Sequence, residues 1–209
     1  DWDGTLMNSE ARIVSSIQTA AERVGFPVLP YDVSKQIIGL SLEKAILSLY
    51  PDADAAGIEA MAKGYTDCFL AESGVPMQPF AGAESLLQYL QATEVKVAIA
   101  TGKSRKGLDQ VLDEVGFGEY FHFTRTPVES ESKPSPLMLQ QILAEFELTP
   151  EQAVMVGDTE FDMQMAQAIE MDRIALSHGV HELARLQAFD PVASFDDLVS
   201  LQAWLKARL

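Results

Sequence analysis

Val95-Lys96-Val97-Ala98-Ile99-Ala100-Thr101-Gly102-Lys103-Ser104 is the stretch whose reading decides the fold. An apolar run stopped by Thr-Gly reads as a buried strand that delivers a polar loop at its carboxyl end. The same figure recurs at Ala153–Val156, which runs into Gly157-Asp158-Thr159-Glu160-Phe161-Asp162. Helical patterns lie between and around these runs. Ala83–Gln91 precedes the first, and a helix with Leu108, Val111, Leu112 and Val115 on one face follows it. Tyr120–Phe123 reads as a short aromatic strand, and Pro136–Phe146 as the helix before the second run. A helix from about Phe161 to Ile169, a strand Arg173–Leu176, a strand near Pro191–Ser194 and a helix through Leu198, Leu201 and Leu205 complete the pattern. Such alternation predicts an α/β fold with a parallel sheet covered by helices, and a site outside the carboxyl ends of its strands.

Upstream the pattern differs. Ile13, Ile17, Ala20, Ala21 and Val24 recur at helical spacing after an N-cap at Asn8 or Ser9, and Gly25 and Pro27 stop that helix. Further helices are expected at Ser41–Leu49 and Ala55–Ala71, with no strand between them. Ser73–Ala81, carrying Gly74, Pro76 and Pro79, reads as a linker. The division expected is a core of residues 1–7 and 80–209 with an all-helical cap, 8–79, inserted as a lid.

With 31 acidic against 15 basic residues, the net charge of −16 argues against nucleic-acid and anionic-membrane partners, which demand clustered Lys and Arg. An anionic substrate would need a local device, such as a metal ion, a helix N-terminus or a placed lysine. The lone Cys68 permits no internal disulfide, which suits a reducing, cytoplasmic setting, and reads as a small buried apolar group. No apolar run approaches the roughly 20 residues of a membrane span. With three histidines in the chain, His178 and His181 near the rim do not suggest a transition-metal site. Met163 and Met165 are expected in the core, and Lys103 and Arg105 in solvent.

Four segments concentrate the chemistry: Asp1-Trp2-Asp3-Gly4-Thr5-Leu6, Ala100-Thr101-Gly102-Lys103-Ser104, Ser132-Lys133-Pro134 and Gly157-Asp158-Thr159-Glu160-Phe161-Asp162. Taken singly each has a plain reading: a turn at Asp3-Gly4, a strand end at Thr101-Gly102, a helix start at Ser135-Pro136, an N-cap at Asp158. In this order and spacing they resemble the four motifs of the haloacid-dehalogenase superfamily, over almost the whole chain, and the helical insertion resembles the cap of its phosphoglycolate-phosphatase-like branch. The resemblance implies a Rossmann-like core and Mg²⁺-dependent hydrolysis of a small phosphorylated metabolite. Asp1 would be the nucleophile, forming an aspartyl phosphate, and Asp3 the acid and base. Thr101, Gly102 and Lys133 would hold the phosphoryl group. Asp1, the carbonyl of Asp3 and Asp158 would ligate the metal, with Asp162 behind them. Clustered carboxylates need such a cation and a lysine to be tolerated together.

Asp3 favours phosphoester chemistry over dehalogenation, which protonates no leaving alcohol. β-Phosphoglucomutase-like phosphoryl transfer, inorganic pyrophosphatase activity and a catalytically silent binding module are the alternatives. The cap segment holding Gly39, Ser41 and Lys44, with Lys35 nearby, lies where the branch places substrate specificity; a helix start capped by Ser41 is its other reading. A monomer or weak homodimer is expected. In the resembling fold the nucleophile loop follows a central strand between those leading to Thr101 and Asp158, so Val, Ile, Leu or Phe residues are expected ahead of Asp1 in the natural protein.

Overall fold

The computed structural model describes the backbone of residues 1–209 and every side chain except that of Glu72. The chain enters through Asp1–Leu6 into a two-residue strand, β1 (Met7–Asn8). Helices α1 (Glu10–Val24), α2 (Tyr31–Ser34), α3 (Leu42–Leu49) and α4 (Ala55–Asp67) follow, and α4 runs into a π-helical turn, Cys68–Glu72. β2 (Gln78–Pro79) then pairs antiparallel with β1, and the Phe80 amide donates to the Leu6 carbonyl at 2.9 Å. Both crossings between the helical block and the core are therefore tied to each other, where the sequence suggested only a linker.

The remainder alternates: α5 (Ala83–Gln91), β3 (Ala98–Ala100), α6 (Arg105–Val115), β4 (Phe123–Arg125), α7 (Leu137–Phe146), β5 (Val154–Gly157), α8 (Glu160–Gln167), β6 (Asp172–Leu176), α9 (Leu183–Gln187), β7 (Ala193–Phe195) and α10 (Leu198–Lys206). β3 pairs with β4, and β5 with β6 and β6 with β7, all parallel. Two strands begin three residues later than expected, while the others shift by one or two. The ladder of β3 begins at Ala98 because the Val97 amide is taken by the His122 imidazole, at 3.2 Å. The aromatic strand shifts to Phe123–Arg125 because Tyr120 closes a 3₁₀ turn and packs edge-on against Phe117.

Trp2, fully buried, stands edge-on to Phe117 and Phe121 and anchors the Asp1–Leu6 segment in the largest apolar cluster. Met163 and Met165 are buried in the core and Cys68 is buried at the end of the helical block, as their apolar character suggested. Ile17, Ala20, Ala21, Ile46 and Met61 form a separate cluster joining α1, α3 and α4. Local signals set the helix ends. Gly25, at φ +78°, closes α1 in the left-handed conformation, and the Ser41 and Ser104 hydroxyls accept amides in the first turns of α3 and α6. No helix among the described residues is long and apolar enough to cross a membrane.

Candidate active site

Three loops at the carboxyl ends of strands meet the segment Asp1–Thr5. Lys133 is fully buried and its ammonium bridges two carboxylates, Asp1 Oδ1 at 2.7 Å and Asp162 Oδ1 at 2.6 Å. Asp162 Oδ2 accepts the Thr159 hydroxyl at 2.7 Å and the Thr159 amide at 3.1 Å, which also fixes the start of α8. Both oxygens of Asp162 are thus engaged. Burial pushes its carboxyl up, but the Lys133 ammonium and the Thr159 hydroxyl outweigh burial and hold it below the usual range.

Asp158 is oriented by the Thr5 hydroxyl at 2.7 Å and the Val180 amide at 2.8 Å. Burial, then the neighbouring Asp162 carboxylate, push it up to about 7. Glycines make this approach possible: a Cβ on Gly4 (φ +84°) or Gly179 would come within 2.1 or 2.2 Å of the Asp158 carboxylate. Asp1, Asp158 and Asp162 each present an oxygen within 4.8 Å of the others. Asp1 Oδ2 is buried with no hydrogen-bond partner. An orphaned carboxylate oxygen among hard oxygen donors fits a small divalent cation such as Mg²⁺.

Asp3 accepts the Ser9 hydroxyl at 2.7 Å on one oxygen and pairs with Lys103 at 3.1 Å on the other. That bond diverts Ser9 from capping α1, at whose N-cap it sits. Lys103 corrects the sequence expectation. Its side chain is 6% exposed, not in solvent, because it lies between Asp3 and the Phe69 ring, 4.3 Å away. Arg105 stays at the surface, paired with Glu129 and Asp109.

Thr101 is buried beside the cavity, its hydroxyl accepting the Lys103 amide at 3.2 Å. A Cβ on Gly102 would sit 2.4 Å from the carbonyl oxygens of both Gly39 and Leu40, so the cap loop rests directly on the Thr101–Gly102 turn. Gly39 (φ +101°) also abuts Thr159 and Phe161. Ser41 and Lys44 point elsewhere: the Ser41 amide donates to the Ser132 hydroxyl at 2.8 Å, and the Lys44 ammonium to the Ser132 carbonyl at 3.3 Å. Lys35 pairs with Asp32. His178 lies near the Thr5 carbonyl, and the His181 ring accepts the Glu160 amide.

Asp1, Asp3, Thr101, Gly102 and Lys103 floor a cavity of about 100 Å³, roofed by apolar cap residues. Reading the sequence missed Thr5, Ser9, Lys103 and Phe69. Thr5 lies within the first motif and Ser9 just after it, but the partners of Lys103 come from two distant segments.

A parallel α/β core, a carboxylate cluster bridged by a buried lysine, and a helical roof over the cavity make up the architecture of a hydrolase. The chain belongs to the haloacid dehalogenase-like hydrolases, whose family model matches residues 1–176. It is 30% identical to a Dickeya dadantii protein described as “Probable phosphatase IndB”, over 95% of this chain and 90% of that one. It is 25% identical to a phosphoglycolate phosphatase of Nitrosococcus oceani, over 97% and 92% respectively. The crystal structure of a hydrolase from Pseudomonas syringae has the same fold, with a TM-score of 0.88 at 20% identity, covering 100% of this chain and 96% of that one.

Proposed function

We propose that the protein is an Mg²⁺-dependent phosphatase that hydrolyses a small phosphorylated metabolite through an aspartyl phosphate on Asp1. The observation that carries this reading is the Asp1 carboxylate: Lys133 holds one oxygen, and the other is buried without a partner at the edge of the Asp158–Asp162 cluster. The phosphatase names of the two relatives point the same way.

Asp1 attacks phosphorus; its O–P bond forms as the bond to the leaving alcohol breaks. Asp3, facing the cavity, gives that alcohol a proton and then takes one from the water that cleaves the acyl phosphate. The Thr101 hydroxyl, the Gly102 amide and Lys133 hold phosphoryl oxygens. Asp1, Asp158 and the Asp3 carbonyl would hold Mg²⁺, which supplies charge neutralisation for the approach of an anionic nucleophile to an anionic ester. Asp162, bonded to the Lys133 ammonium and to Thr159, keeps Lys133 in place.

The cavity lining favours this reading over its alternatives. A mutase needs a second phosphate clamp and partners for sugar hydroxyls, and a pyrophosphatase needs cations around a polyanionic leaving group. The roof offers mainly Ile and Leu side chains.

The test is phosphate release from p-nitrophenyl phosphate. Activity should require Mg²⁺ and disappear in Asp1→Asn with the fold retained by circular dichroism. Full turnover after exhaustive chelation, or in Asp1→Asn, would reject the mechanism.

A further inference from the structure

Asp158 lies between two glycine backbones. A Cβ on Gly4 would come within 2.1 Å of its carboxylate, and one on Gly179 within 2.2 Å. Contact this close fixes the carboxylate only if the two walls keep their spacing, and glycine brings no side chain to secure it. The neighbouring residues do so. Thr5, after Gly4, donates its hydroxyl to Asp158 Oδ1 at 2.7 Å, and Val180, after Gly179, donates its amide to Oδ2 at 2.8 Å. Across the two walls, His178 Nε2 lies 3.0 Å from the Thr5 carbonyl oxygen. A carbonyl only accepts, so this nitrogen carries the hydrogen and donates it. The three bonds close a ring through Thr5, Asp158 and residues 178–180. The imidazole is itself held. Its ring lies against Phe80, centroids 4.2 Å apart, and the Ser177 amide before it donates to the Phe195 carbonyl at 3.0 Å.

We infer that His178 is a positioning residue for the candidate metal centre: its Nε2–H, through the Thr5 carbonyl, clamps Thr5 and residues 178–180 around Asp158 and so sets that carboxylate for Mg²⁺. His178 takes this role only on the Mg²⁺-dependent reading proposed above. It lies outside the cavity over Asp1 and Asp3, and its Nε2 is engaged by Thr5, so it acts by orientation and not by ligation. Groups that orient a metal ligand from behind govern metal affinity by roughly 10- to 100-fold.

Two variants separate the N–H from the ring. His178→Gln offers an amide N–H near Nε2 without the ring. His178→Phe keeps a ring against Phe80 without the donor, and the adjoining cavity of about 180 Å³ admits the larger side chain. Calorimetric titration with Mg²⁺ alone reads the effect, beside melting temperatures of the metal-free proteins. His178→Phe should bind Mg²⁺ roughly tenfold more weakly, and His178→Gln should stay within about threefold of wild type. His178→Leu, smaller and also without a donor, should weaken binding as His178→Phe does. Melting temperatures should fall by no more than about 4 °C, the scale of one hydrogen bond. Because His178 acts through Thr5, adding His178→Phe to Thr5→Val should weaken binding no further than Thr5→Val alone. Wild-type affinity in both donor-free variants would overturn the inference, even if they melt lower. Equal losses in the Phe and Gln variants, or additive losses with Thr5→Val, would overturn it too. Wild type that takes up no Mg²⁺ would overturn it together with the metal-dependent reading on which it rests.

Discussion

Lys133 shows how one buried side chain can hold a cluster of like charges together. Its buried ammonium offsets two of three clustered carboxylates. Removing one partner of such a buried network leaves uncompensated charge, at a cost of about 3–5 kcal/mol. Lys133→Met should therefore melt roughly 10 °C lower, on the usual scaling for a chain of this size. Saturating Mg²⁺ should restore part of that loss by supplying positive charge; a melting temperature equal to wild type without metal would contradict the argument. At Gly102 the constraint is steric. A Cβ 2.4 Å from two backbone carbonyls cannot be accommodated without lifting the cap loop. Gly102→Ala should raise KM at least tenfold while the melting temperature stays near wild type, and unchanged kinetics would show that the loop does not close on this turn. The convergence of Thr101 and Asp158 was legible in the sequence, because loops after apolar strands meet at one sheet end, whereas Asp1 and Lys133 were placed only by the resemblance of their motifs. The burial of Lys103 was not legible, since Phe69 arrives from a helix with no sequence link to Thr101.

Among the elements, strand–helix alternation was readable because its periodicities are long. The β1–β2 pair was not, since two residues carry no period and the ordering comes from their facing each other. That pair bears on how the cap moves. The Phe80 amide bonded to Leu6 should exchange slowly with deuterium, while the exposed turn at 73–76 exchanges fast. Addition of a phosphate-mimicking inhibitor should slow the 39–41 loop, where Gly39, Leu40 and Ser41 touch the core, more than Phe80. Equal slowing at both places would argue that the clasp itself opens. Similarly, the span of β4 was displaced by aromatic packing: Tyr120 gains more in the core against Phe117 than on a ladder.

Across the whole molecule, an acidic chain of net charge −16 contains a site that must attract anions. Local cations, joined by Mg²⁺ on the proposed reading, would overcome the global field and give the site a pH dependence. Asp158, raised to about 7 in the metal-free site, holds a proton below that value. Metal must displace this proton, so Mg²⁺ affinity should weaken as pH falls, by roughly tenfold between pH 8 and pH 6. Calorimetric titration at the two pH values measures this, with proton uptake by the buffer on binding as a second readout. An affinity independent of pH over that range would mean that Asp158 is ionised throughout.

Contact between Lys103 and Phe69 has a consequence for engineering. The ammonium belongs to the catalytic body, but the aromatic surface beneath it is donated by residues of the roof. The surroundings of this lysine are therefore set across a seam and are not moved by transplanting either piece alone. A chimera that carries a relative's helical insertion on this body would inherit new walls but also a new floor for its lysine. Such a graft should keep Lys103 buried against Asp3 only when an aromatic ring is retained at the position of Phe69.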